Sequence, residues 1–188
     1  MSTNPIATPP LTGTQICLRT VVPDDAAGGY LRWMNDPVIT RYLETKAGTH
    51  TEASLRNYII STTTSADNVF LAIVLRSDNR HVGNIKLGPI NRHHLLGDIG
   101  IIIGEQDCWG RGLATEAIAL LKEYAFAQLG LHKLTASCYA NNAASAKAFE
   151  KAGFTTEAVR PAHFWSEGNW VDGIFLGCVN PANVVRKI

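Results

Sequence analysis

Charge is scarce in this sequence and almost balanced. Of 188 residues, 18% are Asp, Glu, Lys or Arg, and the formal net charge is +1. A nucleic-acid-binding surface normally needs a clustered excess of Lys and Arg, so we expect no nucleic-acid partner. Hydrophobic residues make up 46% of the chain, an ordinary content for a globular protein with a buried core.

Cysteine is rare and widely spaced, with no C-x-x-C pair. The four cysteines are Cys17, Cys108, Cys138 and Cys178. This spacing predicts neither a disulfide framework nor a zinc site, and it favours a reducing, cytoplasmic compartment. The six histidines form no cluster with metal-ligand spacing, so we expect no metal.

Long apolar runs are also missing. No stretch approaches the ~20 apolar residues that span a bilayer, and the N-terminus lacks the pattern of a signal peptide, so we expect no membrane partner. Proline and threonine predict a flexible arm over residues 1–14. A single domain is predicted over residues 15–182, followed by a C-terminal tail at 183–188.

The hydrophobic pattern predicts a mixed α/β domain around one sheet. The predicted order is a strand, two helices, three strands, a long helix, a strand, a short helix and two final strands. The long helix is expected over about residues 111–129, and the last strands near 155–159 and 171–179.

A glycine-containing loop separates the third of the three consecutive strands from the long helix. Gly110 and Gly112 have no Cβ, so several backbone N–H groups there can converge on one anion, beside the positive end of the following helix. This arrangement suits a phosphate or pyrophosphate, but a tight turn alone would also need glycine. The patterns typical of nucleoside triphosphatases and dinucleotide-binding folds are both absent.

Two motifs resemble those of the GNAT superfamily of N-acetyltransferases. The segment WGRGLATEA, residues 109–117, is similar to the family's acetyl-CoA loop, with Trp109 where Gln or Arg is usual. The segment NNAASAKAFEKAGF is similar to the second motif. WMNDPVITRYLE and EGNWVDGIFLG resemble the branch of ribosomal-protein N-terminal acetyltransferases. The resemblance covers about residues 16–179 and implies a mostly antiparallel sheet of six to seven strands flanked by helices.

The resemblance implies a site for acetyl-CoA as co-substrate. The loop N–H groups would hold the pyrophosphate, the strand end would pair with pantetheine, and an N–H at Ile103 would polarise the thioester carbonyl. Asn142 would bond the pantetheine, while Arg111 and Lys147 would meet phosphate oxygens. The full set of expected cofactor-binding residues is Ile101, Ile102, Ile103, Trp109, Gly110, Arg111, Gly112, Leu113, Ala114, Thr115, Asn142, Ser145, Lys147 and Phe149.

The implied reaction is direct acetyl transfer to an amine, which requires proton transfers. At pH 7, roughly 4–5 kcal/mol separates an alkyl ammonium of pKa about 10.4 from its nucleophilic form. The candidate bases are Glu105, just past the strand end, and His163, near the base of the ribosomal-protein branch; each also has a purely structural interpretation. Phe149 replaces the tyrosine that many members use as acid, so Ser145 is the candidate acid, unless it serves only the first turn of its helix.

The acceptor is less well defined. Trp33, Arg41 and Tyr42, with Glu44, are candidates to line its pocket, although for Trp33 a place in the core is the favoured interpretation. We expect a protein N-terminus or a small amine as acceptor. The alternatives are a nucleotide-linked amino sugar and a non-catalytic acyl-CoA-binding module. The chain is expected to act as a monomer or homodimer.

Overall fold

The computed structural model describes residues 4–44 and 49–183. The strands are β1 (Leu11–Thr12), β2 (Ile16–Thr20), β3 (Val69–Leu75), β4 (His81–Leu87), β5 (Leu96–Ile103), β6 (Lys133–Tyr139), β7 (Thr155–Ser166) and β8 (Asn169–Val179). The α-helices are α1 (Gly29–Asn35), α2 (Pro37–Thr40), α3 (Glu52–Thr63), α4 (Leu113–Ala127) and α5 (Ala143–Lys151). Short 3-10 helices lie at Pro23–Ala26, Gln106–Cys108 and Pro181–Asn183.

The strands form one sheet in the order β1-β2-β3-β4-β5-β6-β8-β7. Every neighbouring pair is antiparallel except β5 and β6, which confirms the mixed α/β, mostly antiparallel fold. The described sheet has eight strands, one or two more than expected. One addition lies in the segment expected to be a flexible arm, where Leu11 pairs with Leu18 in β2.

The parallel pair β5–β6 opens part-way along its length. Its register runs only from Leu96 opposite Lys133 to Asp98 opposite Thr135. β5 continues to Ile103 and β6 to Tyr139, so both strands extend beyond their last pair. The result is a gap in the middle of the sheet. Along this gap, the backbone groups of β5 and β6 are not paired with each other.

Two apolar cores cover the two faces of the sheet. The larger contains the buried stripe of α4 together with Phe149 of α5 and the alternating strand residues beneath them. The smaller is built around Trp33 of α1 and Ile59 of α3, packed on Phe70 of β3. In β5 the alternation of a strand sends Ile99 to the larger core, while Ile102 packs against the smaller one.

Local signals define both ends of the helix that carries the second motif. The Asn142 side chain accepts a hydrogen bond from the Ser145 N–H at 3.3 Å and so caps the N-terminus of α5. At its C-terminus, the Phe154 N–H donates to the Phe149 carbonyl and the Gly153 N–H donates to Glu150. This is a Schellman motif, and its two Phe rings lie 5.2 Å apart.

The C-terminal hairpin is longer than the sequence indicates. A proline is typical of a strand end, so Pro161 favours a shorter strand than the one observed. The structure accommodates this proline at the edge of the sheet with an irregularity between Arg160 and Phe164. Ala162 has φ +48, and its N–H donates to the Asp172 carboxylate at 2.9 Å. β7 therefore continues past the bulge to Ser166.

Within the described residues, no helix is both long enough and apolar enough to cross a membrane.

Candidate active site

A cavity of about 560 Å³ occupies the gap between β5 and β6. This volume lies within the range of ordinary small-molecule sites. The lining residues come from the segment after α1, the end of β5, the glycine loop, the end of β6, α5 and β7. They are Val38, Ile39, Arg41 to Glu44, Asp98 to Ile103, Cys108 to Gly110, Gly112 to Thr115, Ser137 to Tyr139, Asn142, Ala144, Ser145, Lys147 to Phe149, Lys151 and Phe164.

The glycine loop presents open backbone to the cavity. Gly110 has φ +72 and Gly112 has φ +81, both in the left-handed region. A Cβ built on either glycine meets no protein atom within 4 Å, so packing within the protein does not account for them. Gly112 is the N-cap of α4, whose first N–H groups have no partner within the helix. The loop therefore combines positive-φ backbone with a helix N-terminus, a suitable arrangement for binding an anion.

Trp109, the first residue of the motif, joins this loop to the end of β5. Its indole N–H donates to the Ile103 carbonyl at 2.9 Å, and the residue lines the cavity. The side chain thus acts on the protein's own backbone at the position where Gln or Arg is usual in the family.

The exposed edge of β5 presents alternate backbone groups to the gap. Gly88 N–H donates to the Asp98 carbonyl and Gly104 N–H donates to Val82, so even-numbered residues of β5 direct their backbone groups toward β4. The groups of Ile101 and Ile103 consequently point toward β6, beyond the last β5–β6 pair.

The helix α5 supplies cationic and polar side chains to the same side of the cavity. Asn142, Ser145, Lys147 and Phe149, which are predicted to bind the cofactor, line it, and so does Lys151, which the motif alone did not indicate. Arg111 does not belong to this lining. Its guanidinium lies 3.8 Å from the Cys108 sulfur instead.

An aromatic and acidic group of residues lines the other side of the cavity. The rings of Tyr139 and Phe164 are stacked with centroids 4.4 Å apart, and Tyr42 lies 5.7 Å from Tyr139. The Tyr139 hydroxyl donates to Glu44 Oε1 at 3.4 Å. We call Tyr42, Glu44, Asp98, Tyr139 and Phe164 the acidic half of the cavity, although Arg41, beside Tyr42, adds one cation to it.

Asp98 lies where β5 and β6 begin to separate. Its Oδ1 accepts a hydrogen bond from the Thr135 hydroxyl at 2.7 Å. Desolvation in this concave position raises the pKa of Asp98, although the Thr135 bond and the charge of Lys86 oppose the shift. Its side chain is still reached by solvent through the open cavity.

Glu105, a predicted base, does not line the cavity. Its carboxylate accepts hydrogen bonds from the Trp33 indole at 2.8 Å and from the Arg32 guanidinium, and Arg80 lies 4.0 Å away. Glu105 does follow the end of β5 closely in sequence. Its side chain, however, is bound by these partners and connects α1 to the loop.

Two further predicted site residues also lie elsewhere. Trp33 is 1% exposed and belongs to the smaller core, as its alternative interpretation held. His163 is exposed on β7, with its ring against Phe164 and Phe175, and it is not among the lining residues. Arg41 and Tyr42 do line the cavity, and the Arg41 guanidinium lies 4.8 Å from the Tyr42 ring centroid.

The described residues contain no group of three or more His, Cys, Asp or Glu side chains arranged to hold a metal ion. The cavity lining thus combines backbone donors and two lysines with two carboxylates, two phenols and Arg41.

Comparison with known proteins identifies the family. A family model described as an acetyltransferase (GNAT) domain matches residues 15–155. The chain therefore belongs to the GNAT acetyltransferase family, and its class is that of an N-acetyltransferase.

Individual relatives agree with this assignment. The probable N-acetyltransferase YjcK of Bacillus subtilis is 34% identical over 110 residues, which is 58% of this chain and 60% of YjcK. The spermidine N-acetyltransferase of Vibrio cholerae, solved with CoA and spermine, superposes with a TM-score of 0.79 at 21% identity, covering 88% of this chain and 96% of that one. Mycobacterium smegmatis RimJ, solved with CoA-disulfide, gives 0.76 at 21% identity, covering 90% and 84%. These two structures share the fold.

Proposed function

We propose that this protein transfers an acetyl group from acetyl-CoA directly to a protonatable primary amine, either a protein N-terminus or a small molecule. The observation that carries the proposal is the division of charge across the cavity. Lys147 and Lys151 line it beside the glycine loop, whereas Glu44 and Asp98 line it with the aromatic residues. An anionic donor and a cationic acceptor each find complementary charge on their own side.

The first side has the groups that acetyl-CoA requires. Pyrophosphate would be held by N–H groups of the glycine loop and of the first turn of α4, with Lys147 and Lys151 near phosphate oxygens. The oxygen of Asn142 already caps α5, so its amide N–H₂ would donate to pantetheine. Pantetheine would run along the free edge of β5, where the Ile103 N–H would polarise the thioester carbonyl; the Ile103 carbonyl already accepts the Trp109 indole N–H.

The acidic half favours a cation as acceptor. A protein α-amine, with a pKa near 7.7–8.0, needs only about 1 kcal/mol to lose its proton at pH 7, whereas an alkyl amine needs roughly 4–5 kcal/mol. Carboxylates at the cavity wall attract either ammonium and then assist its deprotonation. A nucleotide-linked amino sugar would bring a diphosphate into this half, where Arg41 is the one cationic side chain among the described lining residues.

The non-catalytic alternative rests on the loss of the helix tyrosine. Phe149 has no hydroxyl to contribute to the cavity; its side chain is 2% exposed and packs against Phe154. The hydroxyl groups of Ser145 and Tyr139 belong to residues that do line it. Loss of the helix tyrosine therefore does not remove the cavity's capacity for proton transfer.

The proposal is tested by incubating the protein with acetyl-CoA and a panel of amines while free thiol is measured. The panel contains peptides beginning with alanine or serine, spermidine, and a uridine-diphosphate amino sugar. We expect thiol release that depends on one of the cationic amines, together with thermal stabilisation by CoA. Stabilisation by CoA without amine-dependent release would leave a binding module, and the absence of stabilisation would contradict both functions.

A further inference from the structure

We propose that Glu44 and Tyr139 form the proton relay of the reaction, with Glu44 taking a proton from the amine and Tyr139 giving one to the departing thiolate. This inference rests on the proposed acetyl transfer. It replaces both Glu105 and the missing helix tyrosine with a pair that the sequence separates widely and the fold brings into contact.

The cavity lining restricts the choice of base. Among the described residues that line the cavity, two carry carboxylates, Glu44 and Asp98. Asp98 is bonded to Thr135 at the closed end of the gap, where the two strands are still paired. Glu44 instead bonds a phenol from β6, and this phenol can pass a proton onward.

The phenol is held in a fixed orientation. Tyr139 is 5% exposed, and its ring is stacked on Phe164 on one side and contacts Tyr42 on another. Tyr42 is itself fixed, because its hydroxyl donates to the Asn141 carbonyl at 3.1 Å. A catalytic group held in this way needs little reorganisation during the reaction.

Several charged and titratable groups line the cavity around this pair. Arg41 lies on the same segment as Glu44, Asp98 faces the cavity from β5, and the lysines of α5 line the cofactor side. Desolvation, reinforced by the charge of Glu44 and their hydrogen bond, raises the pKa of Tyr139, so transfer of its proton to the thiolate requires protonated Glu44 to replace that proton on the phenolate.

The relay balances its protons once the bound ammonium has released its first proton to solvent. The neutral amine attacks the thioester carbonyl carbon, forming the C–N bond and leaving a positive charge on nitrogen. That nitrogen gives one proton to the Glu44 carboxylate. The C–S bond then breaks, its electron pair goes to sulfur, and the thiolate takes the Tyr139 proton. Protonated Glu44 returns its proton to the Tyr139 phenolate, and both side chains regain their starting forms.

The test compares Glu44→Gln, Tyr139→Phe and the double variant with Glu123→Gln and Tyr58→Phe, which change an exposed carboxylate on α4 and an exposed phenol on α3. Rates are measured against pH with the amine that the panel identifies. We expect each relay variant to lower kcat roughly 100-fold or more, while KM for acetyl-CoA and stabilisation by CoA stay near wild type. The pH profile of kcat/KM should change in Glu44→Gln, because deprotonation of the free amine would still act while the carboxylate would be gone.

The double variant gives the most decisive result. The free-energy effects of substituting two members of one relay do not add, because removing either member already breaks the relay. We expect the double variant to be about as slow as the slower single variant. The relay is wrong if the two losses multiply, if Glu44→Gln retains the wild-type rate and pH profile, or if Asp98→Asn produces the loss instead. A wild-type protein that binds CoA but acetylates no amine would remove the proposed function and the relay with it, a result distinct from any of these.

Discussion

The indole N–H of Trp109 donates to the main-chain carbonyl of Ile103 at 2.9 Å. This bond ties the first residue of the glycine loop to the last residue of β5, so the two elements proposed to hold the donor are fixed relative to each other. One side chain thereby links the anion-binding backbone to the strand edge.

Replacement of Trp109 by Phe should raise KM for acetyl-CoA more than it lowers kcat. The variant keeps an aromatic ring but loses a hydrogen bond worth about 1 kcal/mol, which corresponds to roughly a 5-fold rise in KM for acetyl-CoA. We expect kcat to change less than 2-fold by the same reasoning. Trp165→Phe, at the exposed tip of the C-terminal hairpin, is the matched control. Equal KM values for the two variants would remove the assigned role of the indole.

The sequence is most informative about this loop because its signals are local. Gly110 and Gly112 adopt positive φ as their freedom from a Cβ allows, and Asn142, the first residue of the sequence NAAS in the second motif, caps α5. A cap or a left-handed turn depends on a few neighbouring residues, so a short pattern is enough to identify it.

The acidic half could be predicted only in part because it is a product of tertiary structure. Tyr42 was expected there from its segment, but Tyr139 enters from β6, and its bond to Glu44 joins residues 95 positions apart. Glu105 shows the converse: its backbone position beside the site was evident, whereas Arg32 and Trp33, which bind its carboxylate, come from a distant helix. Position along a strand therefore indicates where a residue lies, and its partners decide what its side chain does.

Substitution of Gly112 should separate backbone conformation from ligand access. Gly112→Ala places a Cβ in open space but at φ +81, a strain of about 1–2 kcal/mol. Gly112→Asn tolerates this conformation better, so its melting temperature should lie closer to wild type. We expect both variants to lose CoA stabilisation, because each adds a side chain where the pyrophosphate would approach. If Gly112→Asn bound CoA normally, the glycine would serve the turn alone.

Lys147 and Lys151 should contribute to CoA affinity through charge. Lys147→Ala and Lys151→Ala should each weaken binding a few-fold at low salt, and the loss should shrink as ionic strength rises and shortens the Debye length. Titration calorimetry at two salt concentrations measures this difference. Arg56→Ala, on α3 and outside the cavity lining, should leave the affinity unchanged. A salt-independent loss in the lysine variants would indicate packing rather than charge.

His81 should make the fold less stable in mild acid. Burial lowers its pKa below the ordinary 6.5, and this outweighs the opposing hydrogen bond to Asn84 and the charge of Asp25. Since the unfolded chain takes up a proton near pH 6.5 while the folded chain resists it, unfolding is favoured as pH falls from 6.5 toward the lowered value.

Thermal unfolding at pH 7.5 and at 5.5 provides the measurement. The variant His81→Gln cannot titrate but still offers a donor near Asn84, so we expect its melting temperature to fall less between the two pH values than that of wild type. His93→Gln, in the exposed loop before β5, is the matched control and should retain the wild-type difference. Burial acts to raise the pKa of Asp25, but hydrogen bonds from Arg19 and from the Val22 N–H outweigh it and hold that pKa down. Protonation of Asp25 should therefore lower the melting temperature of all three proteins further at lower pH. An equal fall in wild type and His81→Gln between pH 7.5 and 5.5 would exclude His81 as its source.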